Sequence, residues 1–240
     1  MKKIVFCLIL VYVTAYAESG DKPAGKTNLG LSYVATSGNT QTQTFSAKLG
    51  SEGEINAVRC IFNGSYLFAK DDKSEKANKL NASIRGEKII VSGLFGFIEA
   101  GYLRDKFSGF TYRASVGPGL GYDIIQLEKQ QLKGLASVMY YTDKYSVGPV
   151  DKESYGSFKS ELQYNWAMRD NVQFQWNADY LLSLKKKEKY FLNTDVSLDV
   201  SISNHLAIGL DYQIRYQNQP PSKEVKKTDT TFTTSLIINL

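Results

Sequence analysis

Apolar and polar side chains alternate residue by residue through one segment of this chain after another. Between Leu206 and Gln217 the even-numbered side chains are leucine, isoleucine and tyrosine, while the odd-numbered positions carry alanine, glycine, aspartate, glutamine and arginine. Segments 172–183 and 192–203 follow the same pattern. Successive side chains of a β-strand point to opposite faces, so each segment is predicted to be a strand with one apolar and one polar face. A helix with a period of 3.6 residues would spread these side chains around its whole surface, which excludes helical segments here.

This alternation predicts twelve strands, and an even number of strands is typical of single-chain bacterial outer-membrane barrels. The alternation is weakest in segments 40–49, 92–104 and 131–143, and in the last two it is blurred by apolar residues such as Phe95 and Leu135. The predicted strands lie near residues 27–36, 40–49, 55–68, 77–88, 92–104, 110–124, 131–143, 154–167, 172–183, 190–203, 206–217 and 229–240.

Strand length and the placement of charge distinguish a membrane barrel from a soluble one. A tilted strand needs about 9–11 residues to cross the outer membrane, whereas strands of soluble sheets average about 5–6 residues. Most of the predicted strands are long enough to cross. The positions on the apolar face, called here the apolar parity, carry almost no charge in the middle of the strands. So many charges on the other parity would be very costly in a dry core but suit a wet lumen. We therefore predict an all-β fold, a closed antiparallel transmembrane β-barrel with a polar lumen and a lipid-facing apolar exterior. The candidate lumen-lining residues are Arg59, Arg85, Glu99, Arg113, Glu161, Asp179, Asp195, Asp199, Asp211 and Arg215.

The connections predict an orientation in the membrane. With both termini in the periplasm, the compact connections 50–54, 125–130, 168–171 and 204–205 face the periplasm. The longer polar connections 69–76, 144–153, 184–189 and 218–228 then face outward, as outer-membrane barrels prefer. Two of the outer connections carry exposed basic candidates that could pair with lipopolysaccharide phosphates, although an ordinary solvated loop tip explains them equally well. These are Lys185, Lys186 and Lys187, with Lys189 in the same loop, and Lys226 and Lys227 in the other.

The first residues predict export from the cytoplasm. Lys2 and Lys3 precede an apolar run, and Ala15 and Ala17 provide small residues at the −3 and −1 positions of a cleavage site. That run is too short to span a bilayer as a helix, so we expect a cleaved secretory signal. The expected organisation is a signal peptide at residues 1–17, a short periplasmic segment at 18–26 and an outer-membrane barrel at 27–240.

Composition argues against several classes of function. Loss of the two signal lysines lowers the formal net charge from +5 to about +3, which is too balanced for a nucleic-acid-binding protein. The mature chain keeps one cysteine, Cys60, and the only histidine is His205 in a predicted turn. A cysteine on one strand and a histidine in a distant turn do not form a metal-ligand cluster. His205 also has no catalytic partner in suitable geometry, so we expect no enzyme, no metal and no cofactor.

The arrangement of the lumen candidates suggests transport. In a twelve-stranded barrel Arg59 and Arg85 would face Asp179, Asp195 and Asp199, and such opposed walls set a transverse field as in a porin. We therefore expect a narrow passive pore for small polar solutes or ions. The alternative is a non-conducting structural or surface-binding barrel whose charges pair and fill a small lumen. The expected partners are membrane lipids, lipopolysaccharide and the outer-membrane assembly machinery, which recognises terminal strands of the kind predicted at 229–240.

Several motifs resemble those of the YdiY-like salt-induced outer-membrane proteins, a family catalogued as a domain of unknown function. The motifs are Gly30 with Gly38-Asn39-Thr40, Asp105-Lys106-Phe107-Ser108-Gly109, Arg113, Gly117-Pro118-Gly119-Leu120-Gly121-Tyr122, and Pro220-Pro221 before Lys226-Lys227-Thr228-Asp229-Thr230. The resemblance covers essentially the whole mature chain, and it implies an outer-membrane barrel without indicating a substrate. Within the glycine-rich motif, the alternate glycines would face the lumen, where they thin the inner wall and allow curvature.

The signal-peptide hypothesis predicts the first residue of the mature protein. Cleavage after Ala17 should give a protein that begins at Glu18 and fractionates with the outer membrane. N-terminal sequencing of the purified protein checks the cleavage site. An intact Met1, or recovery in the soluble periplasm, would contradict the hypothesis.

Overall fold

The computed structural model describes residues 25–36, 42–72 and 74–240, and these form a closed barrel of twelve antiparallel strands. Each strand pairs with its neighbours in the sequence, and the last strand closes on the first. The strands are β1 Lys26–Thr36, β2 Thr42–Ile55, β3 Val58–Asp71, β4 Ser74–Val91, β5 Leu94–Asp105, β6 Phe110–Gln126, β7 Gln130–Tyr145, β8 Lys152–Arg169, β9 Val172–Ser183, β10 Tyr190–Ser201, β11 Leu206–Gln217 and β12 Thr228–Asn239. The predicted fold class and strand number are confirmed. The predicted signal peptide and residues 18–24 of the predicted periplasmic segment lie outside the described residues.

The strand register sends the apolar parity outward. In β10, Leu198 is paired with Leu210 of β11 and Phe174 of β9, so three large apolar side chains share the outer surface. Its neighbour Ser197 points inward and donates a hydrogen bond to Asp211, with 2.6 Å between the oxygens. A shift of one residue would exchange the two faces along the whole strand, and the contrast between them therefore specifies the register.

The barrel has two different ends. The start of β1, the end of β12 and the hairpins that follow even-numbered strands lie at one end, called here the terminal end. The hairpins that follow odd-numbered strands lie at the other, called the loop end. No helix among the described residues has the length and apolarity needed to span a bilayer.

Two predicted connections are wrong, because the strands continue through them. β2 runs through 50–54 to Ile55, and the turn is formed by Asn56 and Ala57 instead. Both have positive φ angles, 50° and 61°, the conformation of the two-residue turns that suit the twist of a hairpin. The polar connection predicted at 69–76 is also mostly strand, since β3 ends at Asp71 and β4 begins at Ser74. Polar residues at these points extend the hairpins beyond the apolar belt.

The blurred alternation of β5 and β7 has a structural cause. Phe95, Phe97 and Leu135 point inward and are buried together. Glycines of β6 make room for the two phenylalanine rings: a Cβ atom on Gly119 would lie 2.3 Å from Phe97, and one on Gly121 would lie 2.2 Å from Phe95. The expected thinning of the inner wall is therefore present, and aromatic rings fill the space that it creates. A second buried group lies nearer the loop end and consists of Phe110, Met139, Tyr141, Tyr155, Leu181 and Phe191.

The register predicts opposite outcomes for two adjacent substitutions in β10. Leu198→Arg places a charge against lipid at a cost of roughly 2–4 kcal/mol near the midplane, so the yield of folded barrel should fall sharply. Ser197→Arg places the same side chain inside, beside the Asp211 carboxylate, and should fold nearly as well as wild type. Refolding yields from the heat-modifiable gel shift in detergent compare the two. Equal yields would mean that the faces are assigned wrongly.

Candidate functional site

Four charged side chains join opposite parts of the barrel interior. We call Arg85, Glu99, Lys159 and Glu161 the central cluster. Arg85 of β4 donates to Glu99 of the neighbouring β5 at 2.7 Å and to Glu161 of β8 at 3.0 Å. Lys159, also on β8, lies 3.0 Å from both carboxylates. Because β4 and β8 are not neighbours in the sheet, these ion pairs cross the interior.

A second charged group is packed among aromatic rings near the loop end. Arg113 donates two hydrogen bonds to Asp143, at 2.8 and 2.9 Å. Its guanidinium lies 4.3 Å from the ring centre of Phe110 and 4.0 Å from that of Phe191. Asp143 is completely buried and also accepts a hydrogen bond from Tyr155 at 2.8 Å. An arginine between aromatic faces, paired with a fully bonded carboxylate, is a rigid arrangement that fills space.

Lys189 completes this loop-end group: it lies in the predicted loop between β9 and β10, but the prediction that its side chain is exposed is wrong. The side chain turns inward and is 4% exposed. Its ammonium group lies 3.0 Å from Asp143 and 2.9 Å from Glu153. Burial lowers the pKa of the Lys189 ammonium below its ordinary value, although both carboxylates favour the charged form. These contacts hold the β9–β10 hairpin against the barrel.

Several interior charges are more accessible to water on the side formed by β10–β12 and β1–β3, called here the polar side, although Asp211 on this side is only 11% exposed. Arg215 and Asp195 pair at 2.6 Å with side chains 27% and 30% exposed, whereas the central cluster residues are 11–15% exposed. Lys48 is 30% exposed and pairs with Asp211 at 2.6 Å. Asp199 lies on the inward parity of β10 and has no ion-pair partner within the described part of the chain. Arg59 and Glu52 form a third exposed ion pair on this side. The uncharged Thr233 and Thr231 lie opposite Asp211 and Gln213.

The structure places all ten candidate lumen residues on the inward parity of their strands, but it does not separate them into a basic and an acidic wall. Arg59 pairs with Glu52 at 2.7 Å and with Glu87 at 3.2 Å. Arg85 belongs to the central cluster, and Asp179 accepts a hydrogen bond from Asn193. The physical reason is the low dielectric of the interior, where an unpaired charge is costly and opposite charges are therefore interleaved. Contact of these residues with a permeating solute stays a prediction.

Sequence reasoning missed Lys48, Asp143 and Lys159 as interior partners. Each stands on an inward face that the sequence could have indicated, but Asp143 is flanked two residues away by Tyr141 and Tyr145, and Lys159 is paired across the strands with the apolar Leu181. Those neighbouring residues obscured the polar stripe. The useful signal was a charged residue on a strand face that otherwise carries large aromatic or apolar side chains such as Tyr141 or Leu181. A charge in such surroundings needs a buried partner.

Other candidates lie at the ends of the barrel. Five basic residues lie exposed in the hairpins of the loop end: Lys185, Lys186, Lys187, Lys226 and Lys227. Lys185 and Lys186 lie 3.6 and 3.8 Å from Glu153. His205 lies exposed in the β10–β11 hairpin, where its backbone N–H donates to the Ser203 hydroxyl at 3.4 Å. No group of histidine, cysteine and carboxylate side chains with metal-binding geometry occurs in residues 25–36, 42–72 and 74–240.

The family model described as "Protein of unknown function, DUF481" matches residues 29–240. The chain belongs to this family. The Escherichia coli (strain K12) protein named "Uncharacterized protein YdiY" is 26% identical over 220 residues, covering 87% of this chain and 81% of the relative. The resemblance inferred from the sequence motifs is therefore confirmed.

Two solved structures with a similar fold are named as a porin and as an outer membrane channel. The NanC porin superposes with a TM-score of 0.51 at 11% identity, covering 89% of this chain and 97% of that one. The COG4313 outer membrane channel from Pseudomonas putida F1 gives a TM-score of 0.52 at 9% identity, covering 93% and 99%. At this identity the comparison shows the fold alone, which is that of an outer-membrane β-barrel.

Burial separates the interior ion pairs into two classes with different expected contributions to stability. Asp143→Asn would leave Arg113 and Lys189 buried with weaker partners, at a cost of roughly 3–5 kcal/mol. Asp195→Asn breaks a pair that is close to water and should cost no more than about 1 kcal/mol. Unfolding in detergent, followed by tryptophan fluorescence, compares the variants. A loss for Asp195→Asn as large as that for Asp143→Asn would contradict the division.

Proposed function

We propose that the protein is an outer-membrane barrel that conducts small polar solutes or ions passively through a narrow path along its polar side. The observation that supports this most directly is the contrast in exposure inside the barrel. The charges of Arg215, Asp195 and Lys48 are two to three times as exposed as those of the central cluster. Water near these side chains is what a permeation path requires.

The central cluster determines where the path lies. Arg85 and Glu161 bridge the interior between β4 and β8, and the buried aromatic residues of β5 to β7 fill the wall behind them. The proposed path therefore runs along the inward residues of β10–β12 and β1–β3. Threonine, glutamine and asparagine at these positions can replace some of the hydrogen bonds of a hydrated solute.

The charge balance along the path favours cations. Lys48 and Arg215 are each neutralised by an aspartate, whereas Asp199 has no partner of opposite charge among the described residues. A fixed negative charge in a narrow space of low dielectric raises the local concentration of cations. We therefore expect weak cation selectivity rather than the strong transverse field of two opposed walls.

The second candidate function is a non-conducting structural or surface-binding barrel. The loop-end group favours it, because Lys189, Arg113 and the aromatic rings around them occupy part of the mouth. Side chains can fill the interior of a small barrel completely. In that case the ion pairs serve stability alone.

The proposed setting follows from export and assembly. A signal peptide at 1–17 would take the chain to the periplasm. The assembly machinery would then insert it with the terminal end facing the periplasm and the loop end facing the cell exterior. Lipopolysaccharide phosphates could then pair with Lys185, Lys186, Lys187, Lys226 and Lys227. The acyl chains of the outer membrane would contact the apolar side chains on the outer surface of the barrel.

The proposed path predicts which interior carboxylate controls selectivity. Asp199→Lys should shift the reversal potential in a salt gradient toward anion preference, because it reverses the charge on the polar side. High salt should reduce the shift by screening. Asp123→Asn is the control, since Asp123 lies near the same end on β6 and pairs with Lys133 at 3.5 Å on the packed side.

Planar-bilayer recordings test both variants beside wild type. If the reversal potential of Asp199→Lys equals that of wild type, the permeation path does not pass Asp199. A wild-type barrel that is folded and inserted yet carries no current would refute the pore and favour the structural barrel.

A further inference from the structure

A groove of about 910 Å³ crosses the outer, lipid-facing surface of the barrel. This size lies within the range of roughly 300–1,000 Å³ that ligand-binding clefts occupy. Large apolar side chains such as Leu120, Trp176 and Leu192 line it, and all three belong to the outward parity of their strands. Most of the lining residues share this outward face, so the groove opens to hydrocarbon, and the inward-facing Leu135, Glu161 and Asp179 also border it.

Small residues on adjacent strands form the floor of the groove. Gly134 of β7 pairs with Leu162 of β8, which pairs with Ala178 of β9. In the next row, Ala136 pairs with Ser160. The groove thus follows the direction across the strands, from the beginning of β5 near the terminal end to the last residues of β11 near the loop end. Because strands are tilted in such barrels, this direction rises obliquely across the membrane.

The inner face of the same wall explains why the groove persists. Glu161 lies between Ser160 and Leu162, and it is bonded across the interior to Arg85 of β4. The cross-barrel ion pair holds β8 toward the opposite wall. The small residues on the outer side then leave a depression that neighbouring side chains do not fill.

The loop end of the groove combines aromatic rings with positive charge. Tyr180 and Tyr216, which line the groove, both contact Tyr190, with ring centres 5.9 and 6.0 Å apart. Tyrosines at this depth are typical of a membrane interface. The two hairpins that continue from these strands carry the exposed lysines at 185–187 and 226–227. A ligand of matching charge would therefore have a hydrocarbon chain in the groove and several phosphates beside the hairpins.

We propose that the groove binds one acyl chain of a lipopolysaccharide molecule whose phosphates pair with the lysines of the β9–β10 and β11–β12 hairpins. The inference rests on the proposed orientation, with the loop end outward. A second copy of this chain is a poorer occupant, because two copies meeting at this face would bring lysine-rich hairpins of the same charge together. A lipid with a single phosphate would leave most of the lysines unpaired.

The test measures lipid that stays bound to the full-length protein. Barrels extracted from outer membranes in mild detergent are analysed by native mass spectrometry for bound lipopolysaccharide. Wild type should retain about one molecule per barrel. Ala136→Phe with Ala178→Phe fills the floor and should lower retention about tenfold, because several methylene groups lose their contact. Ala82→Phe with Ala100→Phe is the matched control, since both alanines face outward on β4 and β5, away from the groove.

The charge requirement has its own pair of variants. Lys226→Gln with Lys227→Gln should also reduce retention, whereas Lys88→Gln with Lys129→Gln, at exposed positions near the terminal end, should not. Wild-type barrels that carry no lipopolysaccharide, or that carry a phospholipid equally well, would overturn the proposal. So would a dimer that dissociates when the floor is filled, since the groove would then be a subunit interface. Conductance of the same preparations is recorded separately, so failure of lipid binding is distinguishable from failure of the pore.

Discussion

A strand that crosses a bilayer can satisfy its backbone hydrogen bonds only with another strand, and the rest of this structure follows from that requirement. The sheet must close, so β12 has to meet β1. The described seam pairs Asn28–Leu31 with Leu236–Asn239, far fewer residues than β1 shares with β2. The N–H of Leu240 extends the contact by donating to the Thr27 carbonyl at 2.9 Å. A short seam makes the last strand critical, and its apolar outer parity is what places it in the wall.

Closure creates a second problem, because the residues that face away from lipid meet in a confined interior. The two halves of the barrel solve it differently. Around β5 to β8, aromatic rings, glycines and fully bonded charges form a packed interior like that of a soluble protein. On the polar side the charges pair loosely and keep contact with water. The central cluster separates the two regions.

The alternation of side chains was enough to predict the strand number, the antiparallel closure and the inward parity, because a strand in contact with lipid tolerates few exceptions to the pattern. Prediction failed where a residue's role depends on partners distant in sequence. Lys189 looks like an ordinary loop lysine, yet Asp143 and Glu153 draw it inside. Arg85 looks like one part of a basic wall, yet Glu161 lies within reach on a strand four positions away in the sheet. The turn at Asn56 and Ala57 was missed because polar residues beyond the membrane belt are compatible with either strand or loop.

The division of the interior also determines which positions can vary during evolution. A larger residue at Gly119 or Gly121 would require the rings of Phe97 or Phe95 to move. Replacing Asp143 would remove a carboxylate that pairs with the buried cations of Arg113 and Lys189. Variation there is therefore restricted by foldability. Asp199 carries no comparable structural burden, because it has no ion-pair partner among the described residues. During evolution, residues of the polar side could therefore be substituted repeatedly while the packed side around β5 to β8 stays nearly constant. Relatives with the same barrel could then differ in the solutes that pass through them.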